Sequence, residues 1–234
     1  MTPATAEVIC ILGMHRSGTS CLAGSLQEAG LYLGEVNVEA PHNAKGNREN
    51  EAIQKLNEAL LVDNGGYWRR PPEVVRWSPE RRAQRDEIIA SYGDRPRWGF
   101  KDPRTVFTLS GWREALPAMR YVASYRHPLA AAASVQARGN WKPEAALALW
   151  LTYNRRLLRL HSLLGFPLIS FDAPPDAYEA RLRALCEDLG LTPPGGGFAF
   201  FEQTLRSQSA PPDGELPAEI AAAYDELRRA AGDA

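Results

Sequence analysis

The sequence predicts a three-layer α/β fold, in which helices cover both faces of a central parallel sheet. Short apolar runs of strand length alternate with longer segments that show helical spacing of apolar residues, which is typical of a parallel sheet with crossover helices. The chain has 234 residues and is 44% hydrophobic, so it can bury a sizeable core. We interpret residues 1–234 as a single domain, because the Gly- and Pro-rich stretches are too short to be linkers.

Four strands are predicted, over residues 7–14, 98–101, 119–125 and 167–171. The first contains a continuous apolar run, Val8-Ile9-Cys10-Ile11-Leu12, as expected for a strand that is buried on both faces. Each predicted strand precedes a polar turn or a proline.

Helices are predicted over residues 21–29, 50–64, 79–92, 109–116, 143–164, 176–189 and 217–231, and another begins at Pro128. Gly30 ends the first of them, and Ser78 followed by Pro79 is a typical helix start. The stretch 65–79 carries Gly-Gly, Pro-Pro and three aromatic residues, so we expect a loop or lid there.

Composition and charge exclude several classes of function. The net charge of −1 provides no overall basic surface for nucleic acid or an anionic membrane. No apolar run reaches the roughly 18 residues of a membrane span, and the N-terminus has no secretory signal pattern, so we expect a cytoplasmic protein. Cys10, Cys21 and Cys186 are expected to be free thiols, and the histidines and cysteines show no metal-ligand spacing.

A glycine-containing polar loop lies between the first strand and the first helix. It reads Gly-Met-His-Arg-Ser-Gly-Thr-Ser over residues 13–20. Gly13 and Gly18 allow close approach of the backbone to an anion, the helix N-terminus attracts negative charge, and Arg16 offers a charged fork. The loop is similar to a Walker A motif, but Thr19 replaces the lysine that a nucleoside-triphosphate enzyme needs there.

This loop resembles the 5′-phosphosulfate loop of sulfotransferases that use 3′-phosphoadenosine 5′-phosphosulfate (PAPS). The resemblance implies a P-loop-like fold with about five parallel strands, no metal, and transfer of a sulfuryl group to a hydroxyl or amine, with PAP as the product. His15 need contribute only its backbone. The implied donor-binding residues of the loop are His15, Arg16, Ser17, Gly18, Thr19 and Ser20.

A second motif matches the part of these enzymes that holds the 3′-phosphate. Arg126 ends a predicted strand, Pro128 opens a helix, and Ser134 lies about two turns into it. Taken singly, Arg126 could form a surface salt bridge and Ser134 could bond its own helix backbone; the pair at this spacing favours the 3′-phosphate site. Arg206 matches a late basic contact to the nucleotide, or is simply solvated.

Sulfuryl transfer needs a base for the acceptor proton and a cation near the departing oxygen. The segment 43–50 resembles the N-x-K-G-x-x-E-N stretch of bacterial sulfotransferases, which makes Glu49 the expected base, although a helix-terminus carboxylate is the alternative. His42 is the second choice as base, or a polar surface residue. Lys101 and Arg16 are the expected catalytic cations, with Asp102 orienting Lys101 or the acceptor; an internal ion-pair network is the alternative for Lys101 and Asp102.

The acceptor class stays open between small molecules, glycans and lipids, and the sequence does not indicate an oligomeric state. Trp68 is the best candidate for lining an acceptor pocket. Two other functions remain: a small-molecule kinase that uses a nucleotide, and a nucleotide- or sulfate-binding module without catalysis.

Overall fold

The computed structural model describes residues 6–40, 45–201 and 214–233. Its sheet is parallel throughout, with the strand order β2-β1-β3-β4. The four strands are the four that the sequence predicts; the fifth strand implied by the resemblance is not found among the described residues. The strands are β1 (Glu7–Leu12), β2 (Arg97–Lys101), β3 (Arg120–Tyr125) and β4 (Leu168–Ser170).

The predicted helices all form, with most ends within two residues of the predicted ones. They are α1 (Thr19–Glu28), α2 (Glu51–Asp63), α3 (Pro79–Ser91), α4 (Thr105–Ala115), α5 (Pro128–Gln136), α6 (Pro143–Leu164), α7 (Pro175–Asp188) and α8 (Ala218–Ala231). The largest difference is α4, which begins four residues before the predicted start. The β-branched residues at 105 and 106 have low helix propensity, but the amide of Thr105 bonds the carbonyl of Asp102 and the helix begins there.

Alternate residues of β1 face two different helical layers. Ile9 and Ile11 pack with α1 and α7, whereas Val8, Cys10 and Leu12 pack with residues of α4 and α6. Because successive side chains of a strand point to opposite faces of the sheet, this division confirms the predicted three-layer α/β fold.

Two observations concern what the described parts of the chain lack. No helix there is long and apolar enough to cross a membrane, and no group of three or more His, Cys, Asp or Glu side chains there could hold a metal ion. The three cysteines are free thiols, and Cys10 and Cys186 are buried.

Candidate active site

The polar motifs come together at the carboxyl edge of the sheet. The loop 13–18 follows β1, Asp102 follows β2, and Arg126 follows β3. Because all strands are parallel, these three connections emerge at the same edge. The chain leaves β1 toward β2 on one side and later forms β3 on the other, which makes this the switch point where open α/β sheets place ligands.

The loop after β1 has room for glycine alone at two positions. Gly13 has φ +138°, and a Cβ there would lie 2.4 Å from the backbone oxygen of Ser124. Gly18 has φ +82° and directly precedes α1, and a Cβ there would lie 2.3 Å from the ring of Phe171. Since α1 has neither a side-chain cap nor an acidic residue in its first turn, its own side chains do not neutralise its positive end.

The loop after β1 and the second motif are in direct contact. The Nε of Arg16 donates to the hydroxyl of Ser134 at 2.8 Å, and Arg126 donates to the Arg16 carbonyl at 3.4 Å. Arg126 is 3% exposed and is also paired with Asp172 at 3.3 Å. The two predicted anion sites are therefore adjacent and are joined through Arg16.

The arginines of this region repel one another. Burial, followed by the charges of Arg138 and Arg126, lowers the pKa of Arg16 to about 10. Arg16 still carries its charge at neutral pH, but its charged form is disfavoured by its surroundings. An anion bound among these cations would offset their mutual repulsion and stabilise the charged form of Arg16, so the arrangement favours a strongly anionic ligand.

The side chain of His15, and not only its backbone, lies at the candidate site. Its ring is half-buried and packs against Trp68 and Tyr153, with centroid distances of 4.8 and 5.5 Å. Burial lowers the pKa of His15 well below its ordinary value, and the nearby cations, Arg104 first among them, lower it further. The imidazole is therefore neutral at physiological pH, and its Nε2 is a buried atom with no hydrogen bond to the described residues.

Glu49 and Lys101 form a buried ion pair. Lys101 Nζ lies 2.6 Å from Glu49 Oε1, and the two side chains are 7% (Glu49) and 2% (Lys101) exposed. Gln54 donates to the other carboxylate oxygen at 3.2 Å. The N-cap of α2 is Asn50, which accepts from the amides of Ala52 and Ile53, so Glu49 does not have that capping position.

Asp102 is turned away from Lys101 and into an internal network. Its carboxylate accepts from Asn57 at 2.8 Å and from Arg104 at 2.7 Å, and Arg104 also pairs with Glu58. Burial is the first cause that raises the pKa of Asp102, with the charge of Glu49 adding to it and Arg104 opposing it. The expectation that Asp102 orients Lys101 is not met, because adjacent residues at a strand end point in opposite directions.

A cavity of about 320 Å³ lies in front of the loop. Of the predicted donor-binding residues, His15, Arg16, Thr19 and Ser20 line it, whereas Ser17 is fully buried. Arg126 and Ser134 do not line it and are connected to it through Arg16. The other lining residues are Asn47, Glu49, Gln54, Trp68, Arg69, Lys101, Pro103, Arg104, Val135, Arg138 and Trp141.

Sequence reasoning gave no role to three of the cavity's cations, which are Arg69, Arg104 and Arg138. Arg138 follows Ser134 by four residues, which places both on one side of α5 and its continuation, so this spacing could have identified it. Arg69 lies next to Trp68, the predicted pocket residue, but nothing in the local pattern separates it from Arg70.

Three further residues were predicted or considered from the sequence, and the structure describes one of them, Lys45. His42 and Arg206 lie outside the described residues. Lys45, considered as a sulfate or acceptor contact, instead donates to the Ala199 carbonyl and lies over the ring of Phe200 at 5.3 Å.

Comparison with solved structures identifies the fold. The chain is similar to the sulfotransferase domain from the Synechococcus PCC 7002 olefin synthase, with a TM-score of 0.52 and 19% identity over 88% of this chain and 78% of that one. A sulfotransferase from Mycobacterium tuberculosis H37Rv matches with a TM-score of 0.49 and 14% identity, over 98% and 77% of the two chains. No protein-family model and no curated protein sequence matches. The chain therefore has a sulfotransferase fold of the P-loop-like kind.

Proposed function

We propose that this protein is a sulfotransferase, which transfers a sulfuryl group from PAPS to a hydroxyl or amine of an acceptor. The observation that carries this proposal is the cluster of Arg16, Arg126 and Arg138 at the start of α1, which adjoins a cavity that also contains the Glu49–Lys101 pair. The first group of residues suits a polyanionic donor, and the second suits an acceptor that must lose a proton. The sulfotransferase fold supports the same conclusion.

The donor site fits PAPS at both of its charged ends. The first amides of α1 and the Arg16 side chain would hold the 5′-phosphosulfate, while Arg126 and Ser134 would hold the 3′-phosphate. Ser134 now accepts a hydrogen bond from Arg16, so binding of a phosphate at Ser134 would free Arg16 to turn toward the phosphosulfate. Two adjacent sites joined by one side chain match a single ligand with two anionic groups.

The chemistry needs one proton acceptor and one cation. PAPS supplies the activated sulfuryl group. Glu49 would take the proton of the acceptor hydroxyl as its oxygen forms the new bond to sulfur, while the bond from sulfur to the phosphate oxygen breaks and PAP departs. Lys101 is held by Glu49 at 2.6 Å and would stabilise the negative charge that develops on the transferring group or on the departing oxygen.

The alternative of a nucleotide-dependent kinase is not favoured. Position 19 of the loop, where a kinase of this kind carries lysine, is Thr19. Among the described residues that line the cavity, the one carboxylate is that of Glu49, which is already paired with Lys101. A magnesium site typically uses one or two carboxylates that are free to bind the metal.

Glu49→Gln tests the proposal. We expect the rate of sulfation to fall by about 10²–10⁴-fold, the usual contribution of a general base, with PAP affinity unchanged. Sulfation is followed as a mass shift across phenol, sugar and lipid acceptors, and PAP binding by calorimetry. Glu51→Gln is the matched control, because Glu51 lies two residues away but is exposed and paired with Lys55.

Each outcome has a separate meaning. A wild-type chain that does not bind PAP would refute the proposed function. PAP binding without transfer to any acceptor would favour the binding module. Transfer that survives in Glu49→Gln would leave the function in place and remove Glu49 as the base.

A further inference from the structure

We infer that the acceptor carries an anionic group, a carboxylate or a sulfate or phosphate ester, which binds Arg69 at the mouth of the cavity. The inference deepens the proposed function and rests on it. Its basis is an arginine packed against two neighbouring tryptophans, which neither the donor nor the base uses.

A short turn presents Arg69 to the cavity. The amide of Tyr67 bonds the carbonyl of Arg70 at 3.2 Å, and the amide of Arg70 bonds the carbonyl of Tyr67 at 2.9 Å. Trp68 and Arg69 are therefore the two central residues of the turn. The hydroxyl of Tyr153 in α6 donates to the Trp68 carbonyl at 2.9 Å, which anchors the turn to the body of the protein.

The guanidinium of Arg69 lies against two indole rings. It is 5.0 Å from the ring centre of Trp68 and 4.7 Å from that of Trp141. The two indoles are themselves in contact, 5.8 Å apart, so both lie on the same side of the guanidinium. A cation–π contact of this kind leaves N–H donors of the guanidinium for a ligand. Across residues 6–40, 45–201 and 214–233, no carboxylate lies within ion-pair distance of Arg69.

The other cations that line the cavity have partners or proposed roles within the described parts of the chain. Lys101 is paired with Glu49, and Arg104 with Asp102 and Glu58. Arg16 and Arg138 belong to the arginine cluster that we propose for the donor. Arg69 is therefore the lining cation that we assign to the acceptor.

The chain of aromatic contacts places Arg69 beside the reaction centre. Trp68 contacts both the His15 ring of the donor loop, at 4.8 Å, and the Trp141 ring, at 5.8 Å. An acceptor that stacks on these indoles would have its reactive group near Glu49 and its anionic group at Arg69, because both residues line the same cavity. A charge-assisted bond in this partly exposed site would favour a charged acceptor over its neutral analogue by about tenfold.

Acceptor pairs in which one member carries an anionic group and the other is its neutral counterpart test the inference. The pairs are 4-hydroxyphenylacetate with 4-hydroxyphenylacetamide, glucuronate with glucose, and glycerol 3-phosphate with glycerol. Binding to the PAP-saturated protein is measured by calorimetry and by tryptophan fluorescence, and sulfation by mass spectrometry. The variants are Arg69→Gln and, as the control, Arg70→Gln, because Arg70 lies in the same turn but does not line the cavity.

We expect at least one charged member to bind about tenfold more tightly than its neutral partner. Arg69→Gln should abolish this difference and leave both the neutral member and PAP binding unchanged, whereas Arg70→Gln should keep it. Equal binding within every pair, or a difference that survives in Arg69→Gln, overturns the inference while PAP binding and sulfation keep the proposed function intact. Failure of the wild-type chain to bind PAP overturns the proposed function and this inference together.

Discussion

Replacing Gly18 by alanine should damage both stability and donor binding, because this glycine is under two constraints. Its backbone has φ +82°, and a Cβ would lie 2.3 Å from the ring of Phe171. The positive φ costs alanine about 1–2 kcal/mol, and overpacking against the ring adds about 1–3 kcal/mol. The expected loss of unfolding free energy is therefore about 2–5 kcal/mol.

The helix that Gly18 precedes also provides the matched control. Gly30 follows α1 at its other end, with φ +101°, and no described atom lies within 4 Å of the position that a Cβ would take there. Gly30→Ala should therefore lose only the backbone part, about 1–2 kcal/mol. At about 2–4 °C per kcal/mol for a chain of this size, the two variants separate in a thermal melt, and urea unfolding gives the free energies.

The contact with Phe171 can be isolated further. Gly18→Ala combined with Phe171→Ala should recover about 1–3 kcal/mol as a coupling free energy, because the second change removes the clash. PAP affinity should fall in Gly18→Ala and remain normal in Gly30→Ala, since only the first change disturbs the start of α1. If the Gly18→Ala and Gly30→Ala variants had the same melting temperature, and Gly18→Ala bound PAP normally, the packing described for the loop would be refuted.

Two further predictions concern the arginine cluster and the histidine beside it. Ser134→Ala should weaken PAP binding by about 3–10-fold, which corresponds to the loss of one hydrogen bond. Binding of AMP, which lacks the 3′-phosphate, should be unaffected. If calorimetry showed equal losses of affinity for both nucleotides, Ser134 would not belong to the 3′-phosphate site. The pKa of His15 is lower in the native state than in the unfolded chain. Below about pH 6.5 the unfolded chain therefore binds a proton at His15 that the native state does not bind, and the free energy of unfolding should decrease as the pH falls. Urea unfolding at two pH values, about 7.5 and about 5.5, should show a loss of up to about 1.4 kcal/mol per pH unit from this group, which is smaller in His15→Asn; an identical pH dependence in the variant would contradict the cause assigned here.

Much of the fold follows from local patterns. The buried run of β1, the two loop glycines and the prolines at the starts of α3, α5 and α6 each act within a few residues. The candidate donor-binding residues of the loop, together with Arg126 and Ser134, are also accessible to sequence reasoning, because strand ends and helix starts place them at the sheet edge. The start of α4 was predicted too late, since helix propensity there is overridden by a backbone bond from Thr105 to Asp102.

The sequence alone determined the α/β fold, the loop after β1 and the identity of Glu49 and Lys101 as reactive groups to consider. Tertiary structure alone decided that these two meet 2.6 Å apart, that Asp102 bonds Asn57, and that Arg69 packs against Trp68 and Trp141. Glu49 and Lys101 are 52 positions apart in the chain. Such pairings depend on the order of the strands and on how helices pack over the sheet, and no periodicity within a short window carries that information.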